Sequence, residues 1–363
     1  ANDWVSSVQG LMRPFIFGQP GTFDQNGSTN ATSKGTPALP YVANTLLIAG
    51  HLCAPAMNGY ALLDIYDATD QSILADKTVV SLSNAYFTQA YTYVTIDAAD
   101  WDETHEYWVM GWPRGAYGGY PAQDGSGYPI LEAGDLLAYM LSQSSLDIDR
   151  GRVQDAAAKL TGFVVGGYID EQVSPLEWIT DQLLGILPVS LVQGPKGIYP
   201  VVWNWGAREV DAVDVVTEGP GWRRVSGVEV DASVLVNEVI VKYAYGGGNP
   251  NRSLTVTGAV DITAAGETDF TGLVTWWSDE NYRPSMMGRR SYLEHGQTLS
   301  RVVETEIVWT DVTAALIASW MLAAHAFPKR KIRYSAGFAK VWLQLGDVIL
   351  VTDDDLYLTR QVA

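Results

Sequence analysis

Cysteine is nearly absent. Cys53 is the only one in 363 residues, so no intrachain disulfide can form and packing must hold the chain together. That excludes the small disulfide scaffolds of extracellular modules. Positive charge is also scarce: 23 Lys and Arg face 41 Asp and Glu, a formal net charge of −18. A surface of that sign repels polyanions and argues against a sequence-reading nucleic-acid binder. No apolar run approaches the roughly eighteen residues of a membrane span, so no stable membrane insertion is expected. The opening Ala1-Asn2-Asp3-Trp4 lacks the charged-then-apolar pattern of a signal peptide, and a soluble protein is expected. Histidines number four, His51, His105, His295 and His325, without paired spacing. His51-Leu52-Cys53 places two soft ligands two apart, short of the four that zinc usually takes. Gly246-Gly247-Gly248 is followed by neither a helix signal nor a Lys-Ser/Thr pair, so it reads as a turn rather than a phosphate loop. No metal or cofactor is predicted.

What is present is globular: 47% hydrophobic and 18% charged residues, with no low-complexity tract. Thirteen Trp, nineteen Tyr and thirty-five Gly, with many short apolar runs between turn residues, point to an α+β protein that is predominantly β. The length suits about two to four domains. The missing initiator Met and the end at Gln361-Val362-Ala363, just after Leu356-Tyr357-Leu358, suggest part of a longer chain, truncated at the C-terminus.

The clearest local pattern is Ser174 to Trp203. Ser174, Pro175 and Glu177 form a capping-box sequence, and Leu176, Ile179, Leu183 and Leu187 recur at helical spacing until Pro188. Val189–Gln193 and Ile198–Trp203, joined by Gly194-Pro195-Lys196-Gly197, then read as a hairpin. The apolar face of the helix is expected to dock on that hairpin.

Upstream, residues 1–39 read mostly as loop around Pro14-Phe15-Ile16-Phe17. Strand signals follow at Tyr41–Gly50, Tyr60–Tyr66, Thr78–Leu82, Ala90–Ile96 and His105–Met110. The Gly- and Tyr-rich stretch from Arg114 to Tyr128 reads as a linker. Helices are predicted over Leu131–Ser144 and Arg150–Leu160. Downstream, strands are predicted at Val210–Val216, Trp222–Val230, Glu238–Tyr245, Leu254–Val260 and Val302–Trp309. An Ala-rich helix over Val312–His325, capped by Asp311, precedes strands at Ile332–Ser335 and Val348–Thr352. The resulting division is an N-terminal β-rich domain (1–128), an α/β helix-hairpin unit (129–203) and a β-rich domain with one helix (204–363).

Candidate chemistry is thin. Glu304 and Glu306, two apart on a predicted strand, would be separated by roughly 6–7 Å on one face, near the spacing of inverting glycosidases. The same alternation with Val303, Thr305 and Ile307 is that of a half-buried strand, which is the favoured reading. Asp353-Asp354-Asp355 lacks the alternating ligands and glycine of a calcium loop and reads as an exposed turn. Arg289-Arg290 and Lys329-Arg330-Lys331 are expected to meet carboxylates of a neighbouring chain or domain. The Trp and Tyr surplus can line a carbohydrate groove, but cores and interfaces use the same residues. No catalytic residue is predicted.

In order, four segments carry a family resemblance: Arg13-Pro14-Phe15-Ile16-Phe17-Gly18; ILEAGDLLAYMLSQSSLDIDRGRV; SPLEWITDQLLGILPVSLVQGPKGIYPVVW; and AALIASWMLAAHAFPKRKIRYSAGFAKVWLQLGDVILVTD. Together they resemble the baseplate hub, or tail-tip, proteins of tailed bacteriophages and gene-transfer agents, in which a turn like Leu345-Gly346-Asp347-Val348 opens a late strand. The resemblance implies a multidomain hub with tube-like β-barrel domains, assembled as a homotrimer in the virion tail baseplate. Its implied partners are distal tail or tail-tube proteins, tip or fibre proteins, and phage DNA that passes during ejection without sequence-specific contact. It implies no catalytic residues, although some relatives fuse hydrolase or fibre-like domains beyond the hub. The alternative from another class is a carbohydrate-binding or glycan-degrading β-protein.

Overall fold

The structure, a computed structural model, describes residues 15–18, 36–42, 44–49, 62–82, 91–109, 130–169, 171–203, 209–217, 222–231, 234–246, 249–259, 284–336, 340, 342–353 and 358–362. Strand exceeds helix, in line with the composition.

After β1 (Phe15–Phe17), the first unit comprises β2 (Thr36–Val42), β3 (Thr45–Ala49), β4 (Leu62–Asp67), β5 (Ser72–Leu82), β6 (Tyr91–Thr95) and β7 (Tyr107–Val109). All neighbours are antiparallel and the ladders run β2-β3-β6-β5-β4-β7 before returning to β2, so the sheet closes into a barrel without a free edge. Alternation along the strands sends Leu46, Ile65, Val94 and Tyr107 inward, with Ala38 and Ile96 completing the interior. Strand β2 begins at Thr36, inside the stretch expected to be mostly loop, and β5 is longer than the predicted Thr78–Leu82.

The second unit begins with α1 (Ala133–Gln143), α2 (Arg150–Lys159) and β8 (Gly167–Ile169), which pairs with β1. Helix α3 has one α-turn, Pro175–Trp178, that widens into a π-turn over Ile179–Leu183, where the Leu184 N–H donates to the Ile179 carbonyl at 3.0 Å. The capping box does not form: no side-chain cap bond is made at Ser174, and its carbonyl instead accepts the Trp178 N–H at 2.9 Å. The expected hairpin forms from β9 (Val189–Gly194) and β10 (Gly197–Val202), with Gly194 opposite Gly197 and Val189 opposite Val202. Gly197 sits at φ +121°, where a side chain would also meet the Asp147 carbonyl. The expected docking is corrected: Ile179 and Leu183 are buried, but α3 packs on α1, while it is α2 that lies against β10.

The third part contains β11 (Asp214–Thr217), β12 (Trp222–Arg224), β13 (Glu229–Asp231), β14 (Glu238–Gly246), β15 (Asn249–Thr257), α4 (Pro284–His295), β16 (Ser300–Glu304), α5 (Asp311–His325), β17 (Lys329–Lys331), β18 (Tyr334–Ala336), β19 (Ile349–Asp353) and β20 (Leu358–Val362). Strands β15-β14-β16 form one sheet and β11-β19-β20 another, while β12-β18 and β13-β17 continue each other as a two-stranded ribbon. Helix α5 is buried on every side from Thr313 to Ala324, as expected of a helix apolar all round. It is the element on which the fold converges. The Trp320 indole donates to the Ile186 carbonyl at 2.8 Å and the Thr313 hydroxyl to the Val164 carbonyl at 2.9 Å. Its N-cap is Thr310, whose side chain accepts the Thr313 N–H; Asp311, the expected cap, is the first helical residue.

Two further expectations change. The strand predicted over Val302–Trp309 ends at Glu304, after which the Thr305 N–H still bonds the Lys242 carbonyl before the chain departs. Helix α4 was not foreseen, because Gly288 interrupts a sequence with little amphipathic pattern. The close approach requires glycine just past the facing strand: a side chain at Gly258 would lie 2.2 Å from the Gly288 carbonyl, whereas one at Gly288 would meet nothing nearer than the Asn237 carbonyl at 3.3 Å.

Candidate functional site

The densest group of titratable side chains lies at one end of the barrel, where the turn after β4 meets the loop before β7. Asp67 closes the turn: its buried Oδ1 accepts the N–H groups of Thr69 and Asp70 at 3.0 and 3.1 Å. Its Oδ2 lies 2.8 Å from His105 Nδ1, with Asp70 Oδ2 at 3.9 Å; on the opposite ring nitrogen, Asp102 Oδ2 is 3.6 Å away. The hydrogen bond to Asp67 raises the His105 pKa above its ordinary value, and the surrounding carboxylates add to the effect. Asp102 is held below the usual carboxylate range, first by the Thr104 hydroxyl and then by the Thr104 N–H. Tyr107 donates to the Asp100 carbonyl and accepts the Asp102 N–H; burial raises its pKa.

This arrangement ties two loops together through an imidazole held between carboxylates. Among the described residues no hydroxyl or thiol hydrogen-bonds His105. Asp67, Asp70 and His105 each offer a metal-ligand atom within 4.8 Å of the others. Both oxygens of Asp67 are already engaged, by the turn amides and the imidazole, which accounts for the cluster without an ion. Sequence reasoning missed this group because Asp67 and His105 are 38 residues apart and only the β4-β7 ladder unites them. The Asp102-x-x-His105 spacing was the available local signal.

The other clusters are also paired within the chain. Glu304 pairs with Lys242 at 2.7 Å and accepts from the Tyr245 hydroxyl at 3.3 Å, which together keep its pKa low, with the Lys242 hydrogen bond leading. Glu306 lies beyond the end of β16 and is exposed like Glu304, while Val303, Thr305 and Ile307 alternate with them as buried residues, the pattern of a chain with one solvated side. Asp311 receives the Tyr243 hydroxyl at 2.6 Å and the Arg252 guanidinium at 2.8 Å. Burial, followed by that bond, pushes the Tyr243 pKa up to about 12. Asp353 is fully buried rather than an exposed turn: Arg224 Nη1 donates to both of its oxygens at 3.2 Å and Tyr334 to one at 2.9 Å. Asp354 and Asp355 lie outside the described residues, as do His51 and Cys53.

Of the basic clusters, Arg289 is used within the chain, donating to the carbonyls of Gly258 and Ala259. Lys331 pairs with Asp231 at 3.0 Å. A groove of about 700 Å³ runs along α1 and α2, lined by polar groups including Glu132, Asp135, Arg150 and Gln154. Glu132 is occupied in accepting the Gly162 N–H. No protein-family model and no curated protein sequence matches the chain.

Proposed function

We propose that the chain is a structural, non-catalytic hub protein of a bacteriophage tail baseplate. In this reading three copies form a ring that joins the tail tube to the tip or fibre apparatus, and phage DNA passes through it without being read. The observation that carries the proposal is the closed antiparallel barrel preceding a helix-rich core, in a chain whose four hub-like segments keep their order. A second feature supports it. The Leu345-Gly346-Asp347-Val348 turn leads directly into β19, with Gly346 at φ +90° and the Asp347 carboxylate accepting the Gln344 N–H at 2.7 Å.

The charge balance fits such a ring. Negative walls repel phosphates and prevent the sticking that a basic channel would cause through counterion release. With a screening length of roughly 8 Å at physiological salt, only carboxylates close to the channel surface would act. Localisation of the chain in purified virions tests the proposal: three copies are expected in a ring at the end of the tube, with carboxylates facing the lumen. Absence from virions, no ring, or a lumen lined by Arg and Lys would overturn it. Glu304→Gln and Glu306→Gln should leave tail assembly intact. Turnover of a bacterial polysaccharide by the purified chain, abolished by either substitution, would favour a glycan-degrading enzyme instead.

A further inference from the structure

Two surfaces of opposite character stand out. The first is the ribbon made by β12-β13 and β17-β18. It carries six cations, Arg223, Arg224, Lys329, Arg330, Lys331 and Arg333, against only Glu229 and Asp231, in a chain of net charge −18. Arg224 is committed to Asp353, Lys331 to Asp231 and Arg333 to Glu229. Arg223 and Arg330 are exposed and have no carboxylate partner among the described residues. Large exposed apolar side chains gather in the same part of the molecule: Val210, Val213, Val215, Val225, Val230 and Trp342 are each about half exposed or more, Val225 by 64%. Surface of this kind, apolar with a charged margin, is characteristic of an interface.

The second surface is the barrel end described above. Asp70, Asp97, Asp100, Asp102, Glu103 and Glu106 lie on its two loops, against His105 and the single lysine Lys77. Asp97 is 81% exposed even though it approaches Lys77. Exposed Ile73, at the start of β5, provides an apolar contact next to these carboxylates.

We infer that the cationic ribbon of one copy docks on the acidic barrel end of a second copy of this chain. The occupant follows from charge complementarity: the ribbon needs an acidic, partly apolar partner, and the barrel end of the same chain supplies one. The contact joins two different patches, so it is head-to-tail. Such contacts generate a closed ring when the rotation between copies closes. The inference deepens the ring proposed above and rests on it.

The full chain is examined by light scattering at low and high salt, together with three variants. The first carries Arg223→Glu and Arg330→Glu, the second Asp97→Lys and Glu103→Lys, and the third all four changes. The unaltered chain is expected at three times 39.6 kDa at low salt, dissociating as salt screens the contact. Each double variant should be monomeric at the same concentration with unchanged circular dichroism, and the fourfold charge swap should recover the trimer. A trimer that survives both double variants overturns the docking but leaves the ring reading standing. A folded fourfold variant that stays monomeric also overturns it. If the unaltered chain is monomeric at every salt concentration, the docking fails, while the ring reading is still decided by the virion localisation. Reversals that leave the mass unchanged but block incorporation into tails would assign the ribbon to another tail protein and reject the second copy.

Discussion

The carboxylate of Asp353 is the most consequential charge in the fold, because it is fully inaccessible and is held by the Arg224 guanidinium and the Tyr334 hydroxyl. Arg224 reaches both oxygens at 3.2 Å from a side chain that is itself only 20% exposed, and the Tyr334 hydroxyl adds a bond at 2.9 Å. Replacing Arg224 with Met keeps most of the stem but leaves an anion in a site closed to water. Loss of one partner of a buried pair costs about 3–5 kcal/mol, more than the pair itself contributes relative to apolar residues. Removing both charges, as in Arg224→Met with Asp353→Leu, should therefore be much less damaging than Arg224→Met alone.

A global midpoint is a poor assay here, because a chain with two separate apolar cores need not unfold in one step. Amide hydrogen exchange reads the affected region directly. The Val225 N–H, bonded to the Arg333 carbonyl at 2.8 Å, reports on the ribbon, and the β11-β19 ladder reports on the strand that bears Asp353. At about 1.4 kcal/mol per factor of ten, Arg224→Met should accelerate exchange at both places by roughly two to three orders of magnitude. The amides of the barrel should be unaffected. Equal protection in Arg224→Met and the parent, or a double variant as unstable as the single one, would refute the argument that a stranded anion is the source of the cost.

Three further outcomes are expected. Leu183→Asp places a charge in the wholly buried contact between α3 and α1 and should cost several kcal/mol, seen as a lower thermal midpoint of the helical core. His105 has a folded pKa above its ordinary 6.5, so its stabilisation is complete below that value and is lost as pH rises through the folded pKa; the barrel's unfolding midpoint should fall over that interval, and His105→Gln should flatten the dependence. His325 behaves in the opposite sense. Burial, with repulsion from Lys329 and Arg301, depresses its pKa to about 4; the unfolded chain takes up the proton first, so stability is lost as pH falls from 6.5 towards 4, and His325→Phe should remove that acid limb.

How much could be read from sequence depends on how far apart the deciding residues lie. The hairpin of β9 and β10 was legible because its apolar runs and its Gly-Pro-Lys-Gly turn are contiguous. Helix α5 was legible to within one residue, although its cap was misassigned: Thr310 and Asp311 are both good caps, and the pull of Tyr243 and Arg252 on Asp311 is a long-range effect. The barrel strands were largely visible one at a time. Their order was not, since β3 leaves its sequence neighbour β4 to pair with β6, and β7 closes the gap between β4 and β2. The π-turn in α3 has no marker in a pattern that reads equally well as α-helix. The same limit hid the His105 cluster and the Asp353 anchor: residues 38 and 129 positions apart meet only after the sheets are built.

The use made of polar groups bears on the choice between a scaffold and a glycan enzyme. A general base needs one lone pair directed at substrate, and a nucleophile needs a base that is not already committed. At the barrel end the imidazole faces carboxylates on both ring nitrogens, and Asp67 is spent on its own turn. Along β14 and β16 the residue that suggested hydrolysis, Glu304, is neutralised by Lys242 across a parallel ladder, and its supposed partner Glu306 has left the strand. Asp311 and Asp353 join segments 59 and 129 residues distant. In each case the carboxylate sits where chain segments that are remote in sequence must be held in register, a use that favours a rigid building block. The exposed acidic barrel end, and the two ribbon arginines that meet no carboxylate among the described residues, are groups that a neighbouring copy can reach.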